Sequence, residues 1–150
     1  MSMNEWVRSH VERLLQDEWQ CCRVECDADG DYAFRSGTAA CWVSILTTDD
    51  VPYVRVFAHA AHSIKPSAAM FRELNDIQLR TTSCSVMWAH GEVVVSQTIS
   101  PIGLTRPVLA QAINAVGGVA ADIGLLLALT FNGATPYPAD AEVPHDEQAS

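Results

Sequence analysis

"TTDDVPYVRVFAHA", residues 47–60, is a turn followed by a strict alternation. From Val51 onward, Val54, Val56 and Ala58 fall on one side of an extended chain and Tyr53, Arg55, Phe57 and His59 on the other, because successive side chains of a strand point to opposite faces. Thr48-Asp49-Asp50 ahead of it is the kind of polar cluster that closes an antiparallel hairpin. The first face asks for helices to cover it. The second, which mixes aromatic rings with a cation and an imidazole, is either covered by the first helix or a twin subunit, or open to solvent as a partner surface.

The period of two extends back toward Cys21, with turn signals at Asp29-Gly30 and Ser36-Gly37. Three or four antiparallel strands in a meander are expected between Cys21 and Ala61, the first around Val24. Upstream, Val7, Val11, Leu14 and Leu15 recur at helical spacing behind a cap at Asn4 or Ser2. After Pro66, Met70, Leu74 and Ile77 predict a second helix, with the Asn75 amide expected to bond nearby backbone at its end. Thr82–Ala89 and Glu92–Ser100 flank His90-Gly91 as a second hairpin. Its Met87 extends the face of Phe57, in a register that the sequence leaves open. Pro107 opens a third helix through Val108, Ile113, Val116, Val119, Ile123 and Leu127, loosened at Gly117-Gly118 and ending near Asn132-Gly133. Its last two turns, Leu125–Phe131, are apolar on nearly every side, which implies burial on several faces or an intermolecular contact.

Helix, meander, helix, hairpin, helix predicts one α+β domain over residues 1–133, with helices layered on a single antiparallel sheet. Residues 134–150, proline-bearing and acidic without a Lys or Arg, read as a disordered tail. Nine Lys+Arg against eighteen Asp+Glu give a net charge of −9, which disfavours nucleic acid and anionic lipid as partners. The apolar stretch Ala115–Phe131 is shorter than the roughly 20 residues that span a bilayer and reads as a buried helix. Met1–His10 shows no secretory pattern, so a cytoplasmic location is expected, and five cysteines, an odd number, are expected as thiols.

Chemistry is sparse. Cys21, Cys22 and Cys26 lack the paired spacing of zinc sites and read as small buried or half-buried hydrophobes, as do Cys41 and Cys84 within apolar strand patterns. Asp27, Asp29 and Asp31 start like a calcium loop, but Gly30 is misplaced and Thr38 stands where the closing glutamate belongs, so a turn is expected instead. His59, His62 and His90 read as exposed loop histidines. There is no nucleophile elbow, P-loop or dinucleotide fingerprint. No catalytic residue, metal or cofactor is expected. Tyr53, Arg55, Phe57 and Met87 remain as candidate positions for binding a polypeptide.

Three segments carry a resemblance: "DADGDYAFRSGTAACWVSI" (27–45), "VPYVRVFAHAAHSIKPSAAMFRELNDIQL" (51–79) and "HGEVVVSQTISPIGLTRPVLAQAINAVGGVAADIG" (90–124). Together, over residues 4–131, the chain resembles the bacterial YbjN-like domain, grouped with type III secretion chaperones as small peptide-binding chaperones, and most of all its actinobacterial members. The Leu74-Asn75 pair, the "HGEVVVSQTI" hairpin and the Ala121-Asp122 step carry most of the likeness; Gln78 stands where family members often place a second asparagine. The resemblance implies the same element order, a non-enzymatic role in holding a segment of a client protein, and often a homodimer. The competing expectations are an obligate homodimer without a client groove, packed through Leu125–Phe131 or the middle helix, and a metal or thiol enzyme using Cys21, Cys22, Cys26, His59 or His62.

Overall fold

A computed structural model describes residues 2–139. Helix α1 (Met3–Trp19) begins where Ser2 and Glu5 form a capping box, the Ser2 hydroxyl accepting from the Glu5 N–H at 3.2 Å and the Glu5 carboxylate accepting from the Ser2 N–H at 2.8 Å. Its apolar stripe, Val7, Val11, Leu14 and Leu15, is buried. Strands β1 (Tyr32–Ser36), β2 (Ala39–Thr48) and β3 (Val51–Ala61) follow as the meander. Asp49 and Asp50, both at positive φ, make a two-residue link that sets Thr48 opposite Val51. Helix α2 (Ala68–Arg80) is capped by Ser67, and β4 (Ser85–Ala89) and β5 (Glu92–Ile99) form the second hairpin around His90 and Gly91, again both at positive φ. Helix α3 (Arg106–Thr130) closes the fold.

The expected α+β class, with helices on one antiparallel sheet, is what forms. The strand order is β1-β2-β3-β5-β4, so the last strand inserts between β3 and β4. One face of the sheet forms the core: Tyr32, Cys41, Val43, Val54, Val56, Ala58 and Val95 have no exposure at all. All three helices lie against that face. Arg8 and Glu12 of α1 meet the Tyr32 hydroxyl at 3.0 and 2.7 Å. Phe71 of α2 packs edge-on to Trp88, which shares its face with buried Val86 and Val93. In α3, Gly124 lies so close to the Ala60 carbonyl that a Cβ there would overlap it.

Several expectations change. Residues 21–26 form no strand: apart from Val24, which packs on the core, they are exposed, and no neighbouring strand offers hydrogen bonds. The chain instead folds on itself at Asp27, whose carboxylate accepts from the N–H groups of Asp29 and Asp31 at 3.0 and 2.9 Å, with Gly30 at φ +83°. Cys21, Cys22 and Cys26 are exposed rather than buried, while Cys41 and Cys84 are buried as expected. His59 lies within β3 and is half-buried, as is His62; only His90 is an exposed turn residue. Helix α3 is continuous through Gly117-Gly118 rather than loosened there, and Gly117 is buried beside Ser36. Residues 140–150 of the expected tail lie outside the described residues. Before them, Ala134 exchanges backbone hydrogen bonds with His62 at 2.8 and 3.0 Å, and the Tyr137 N–H donates to the Thr38 carbonyl at 3.1 Å.

Candidate functional site

With the helices gathered on one side, no helix among the described residues covers the other face of the sheet. The pairing places Ala33, Trp42, Phe57, Ser96 and Ser85 in one row across the sheet, and Arg35, Ala40, His59, Val94 and Met87 in the next. Ser44, Arg55 and Thr98 form a third row, Leu46 and Tyr53 a fourth. At the centre, Trp42 stacks on Phe57 with ring centroids 5.2 Å apart, and His59 meets Trp42 edge-on at 4.9 Å. His59 Nδ1 lies 3.4 Å from a carboxylate oxygen of Glu92 on the neighbouring β5.

All four residues picked from the sequence share this face. Tyr53, Arg55 and Phe57 follow one another along β3, Arg55 exposed and the two rings half-buried. Met87, 48% exposed, stands on the edge strand, separated from β3 by β5, so it touches the aromatic cluster only through the Val94 row. Trp42 and Leu46, which complete the face from β2, were missed. The signal was present in the two-residue link: with Thr48 opposite Val51, counting six residues outward along each strand brings Trp42 opposite Phe57.

Part of the free edge at β4 is capped from within. The Gln78 side-chain amide donates to the Cys84 carbonyl at 2.9 Å and accepts from the Val86 N–H at 2.7 Å, the pattern of one residue of an added strand. Gln78 thus performs the backbone bonding expected of Asn75, which is exposed. The reason is reach: the extra methylene brings the amide to the strand.

No set of side chains here assembles a catalytic arrangement among the described residues. Burial pushes the Cys41 thiol up to about 12, and burial together with the hydrogen bond to Glu12 pushes the Tyr32 hydroxyl up to about 12; both belong to the core, on the far side of the sheet. The carboxylates of Asp27, Asp29 and Asp31 lie within 4.8 Å of one another, but on an exposed turn where Asp27 is already engaged with backbone. A second apolar recess, about 580 Å³, lies between the start of α1 (Met3, Trp6) and the loop after β5 (Pro101, Ile102, Gly103).

A three-helix layer on one side of a five-stranded antiparallel sheet, with an aromatic face on the other that no described helix covers, defines a small α+β fold. The chain belongs to the family described as T3SS (YopN, CesT) and YbjN peptide-binding chaperone 1, which it matches over residues 3–139. Among solved structures it is similar to the ExsC–ExsE complex, with a TM-score of 0.62 at 17% identity over 85% of this chain and 97% of that one. It is also similar to the Yersinia pestis type III secretion chaperone SycH in complex with a fragment of YscM2, with a TM-score of 0.55 at 15% identity over 77% and 98%. A third likeness is to YbjN from E. coli, described as a putative transcription regulator, with a TM-score of 0.53 at 16% identity over 85% and 94%. No curated protein gives a significant match.

Proposed function

We propose that this chain is a non-enzymatic chaperone-like module that holds an extended segment of a client polypeptide on the bare face of its sheet, at Tyr53, Arg55, Phe57 and Met87 together with Trp42. The observation that carries this reading is the Trp42–Phe57–His59 cluster standing at the centre of a sheet face that no helix among the described residues covers. Rigid aromatic rings on strands give a flat, preorganised platform, and apolar burial against them supplies affinity without ordering new elements. The family to which the chain belongs, one of peptide-binding chaperones, supports the same role, and a cytoplasmic location accords with it.

The test is an array of immobilised ten-residue peptides probed with the wild-type protein and with Phe57→Asp. Expected is a reproducible subset of peptides retained by the wild type and lost at least tenfold in the variant, with an unchanged thermal melt. Identical retention by both proteins would place the binding surface elsewhere.

A homodimer is the second reading, and its support is separate. Leu125, Leu126 and Leu129 project from the last turns of α3 with exposures of 38%, 64% and 71%, on a helix whose ionisable residues are only Arg106 and Asp122. A second copy packed there would cover leucines that the single chain leaves in water. Light scattering should then give twice the chain mass, falling to one chain in Leu126→Glu/Leu129→Glu.

A further inference from the structure

The bare face differs in charge from the protein that carries it. The chain holds eighteen acids and nine Lys+Arg, yet the outward positions of the five strands hold one acid, Glu92, and two cations, Arg55 and Arg35. Glu92 sits beside His59 at 3.4 Å. Arg55 is exposed. Arg35, half-buried, is held in place: its Nε donates to the Gly37 carbonyl at 2.8 Å and its guanidinium lies 4.3 Å from the centre of the Tyr137 ring. Asp49 and Asp50 form the link between β2 and β3 at one end of the face, and Asp31 directly precedes β1 at its side edge.

We infer that the polypeptide held on this face is acidic and apolar by turns, an extended segment whose carboxylates meet Arg55 and Arg35 while its apolar side chains lie on Trp42 and Phe57. This rests on the peptide-holding role proposed above and names the class of client. Geometry sets the spacing. Arg55 stands opposite Ser44 and Arg35 opposite Ala40, four residues apart along β2 and on either side of it, with Trp42 midway. At ~3.4 Å per residue and ~4.8 Å per strand, the two cations are about 17 Å apart on the diagonal, or about five residues of extended chain. Because alternate residues of that chain face the sheet, the carboxylates belong four or six positions apart, with apolar residues at the alternate positions between them.

Global and local electrostatics make opposite predictions here. A net charge of −9 attracts basic peptides at long range, but at 0.1 M salt charges beyond roughly 10 Å are largely screened, and the contacts on the face decide affinity. Guanidinium–carboxylate contacts are also among the stronger hydrogen-bonded pairs.

The experiment is fluorescence anisotropy with three labelled dodecapeptides that share one alternating apolar pattern and carry Glu, Gln or Lys at the two positions that would meet Arg35 and Arg55. The full chain should bind the Glu peptide about tenfold more tightly than the Gln peptide, with the Lys peptide weakest, and 0.5 M salt should erase the difference. Arg55→Glu, a change at an exposed side chain whose fold is checked by circular dichroism, should reverse the order. Equal affinity for all three peptides, or preference for Lys in the wild type, overturns the charge assignment and leaves the peptide-holding role standing. Binding of none of them defeats that role itself. Light scattering that shows a dimer dissociated by Arg55→Glu assigns the face to a second copy and also overturns the inference.

Discussion

Three glycines of α3 provide an internal measurement of how tightly that helix is pressed onto the sheet. An alanine in place of a helical glycine gains about 0.8–1 kcal/mol in propensity wherever its methyl has room. At Gly118 nothing lies within 4 Å of the added Cβ, so Gly118→Ala should stabilise by most of that amount. At Gly117 the Cβ would lie 3.0 Å from the Ser36 side chain, which can shift slightly, and gain and cost should nearly cancel. At Gly124 the methyl would overlap the Ala60 carbonyl, which is backbone and buried in β3 where the pairing with β5 shifts register. Overpacking costs typically about 1–3 kcal/mol, and a backbone obstacle belongs at the upper end, so Gly124→Ala should lose a net ~1–2 kcal/mol. For a chain of this size 1 kcal/mol is worth roughly 2–4 °C in Tm. Thermal and urea melts of the three variants should therefore rank them 118, 117, 124 over a span of ~2–3 kcal/mol. A Gly124→Ala protein as stable as the wild type would refute the close seating of α3, and with it the claim that the helices are confined to one face.

Gln78→Ala should cost about 1–2 kcal/mol by leaving the Cys84 carbonyl and the Val86 N–H unpaired at the edge, with hydrogen exchange at Val86 accelerating more than exchange in β3. A thiol reagent at pH 8 should modify Cys21, Cys22 and Cys26 quickly, and Cys41 and Cys84 only on unfolding; rapid modification of a fourth thiol would contradict the sealed core face. Stability should fall at alkaline pH. Cys41 and Tyr32, raised in the folded state from 9.0 and 10.0 to about 12, keep protons that the unfolded chain releases, so their contributions are intact below about pH 9 and decline as pH rises toward 12. Urea titrations at pH 8 and 10.5 should show the drop, reduced in a Cys41→Ala/Tyr32→Phe variant.

Local features of the chain determined a good deal. The alternation in Val51–Ala60 separates the buried Val54, Val56 and Ala58 from Tyr53, Arg55 and Phe57, because a strand has only two sides. The helical stripes of α1 and α2 are buried as their spacing requires, and the links at Asp49-Asp50 and His90-Gly91 set both hairpin registers. What the sequence could not decide depends on contacts between distant segments. Nothing local tells β5 to insert between β3 and β4, or tells three helices to share one face. Yet those two outcomes leave Trp42 and Phe57 half-buried on a face without a helix and put Met87 one strand beyond β5. The same holds for Cys21, Cys22 and Cys26, which have the composition of a strand but no neighbour to pair with, and for Gln78, whose role exists only because α2 packs beside the edge of β4. Periodicity records which side of an element is apolar. Only the assembled fold determines what that side meets, because hydrogen-bond pairing and burial are settled between elements, not within them.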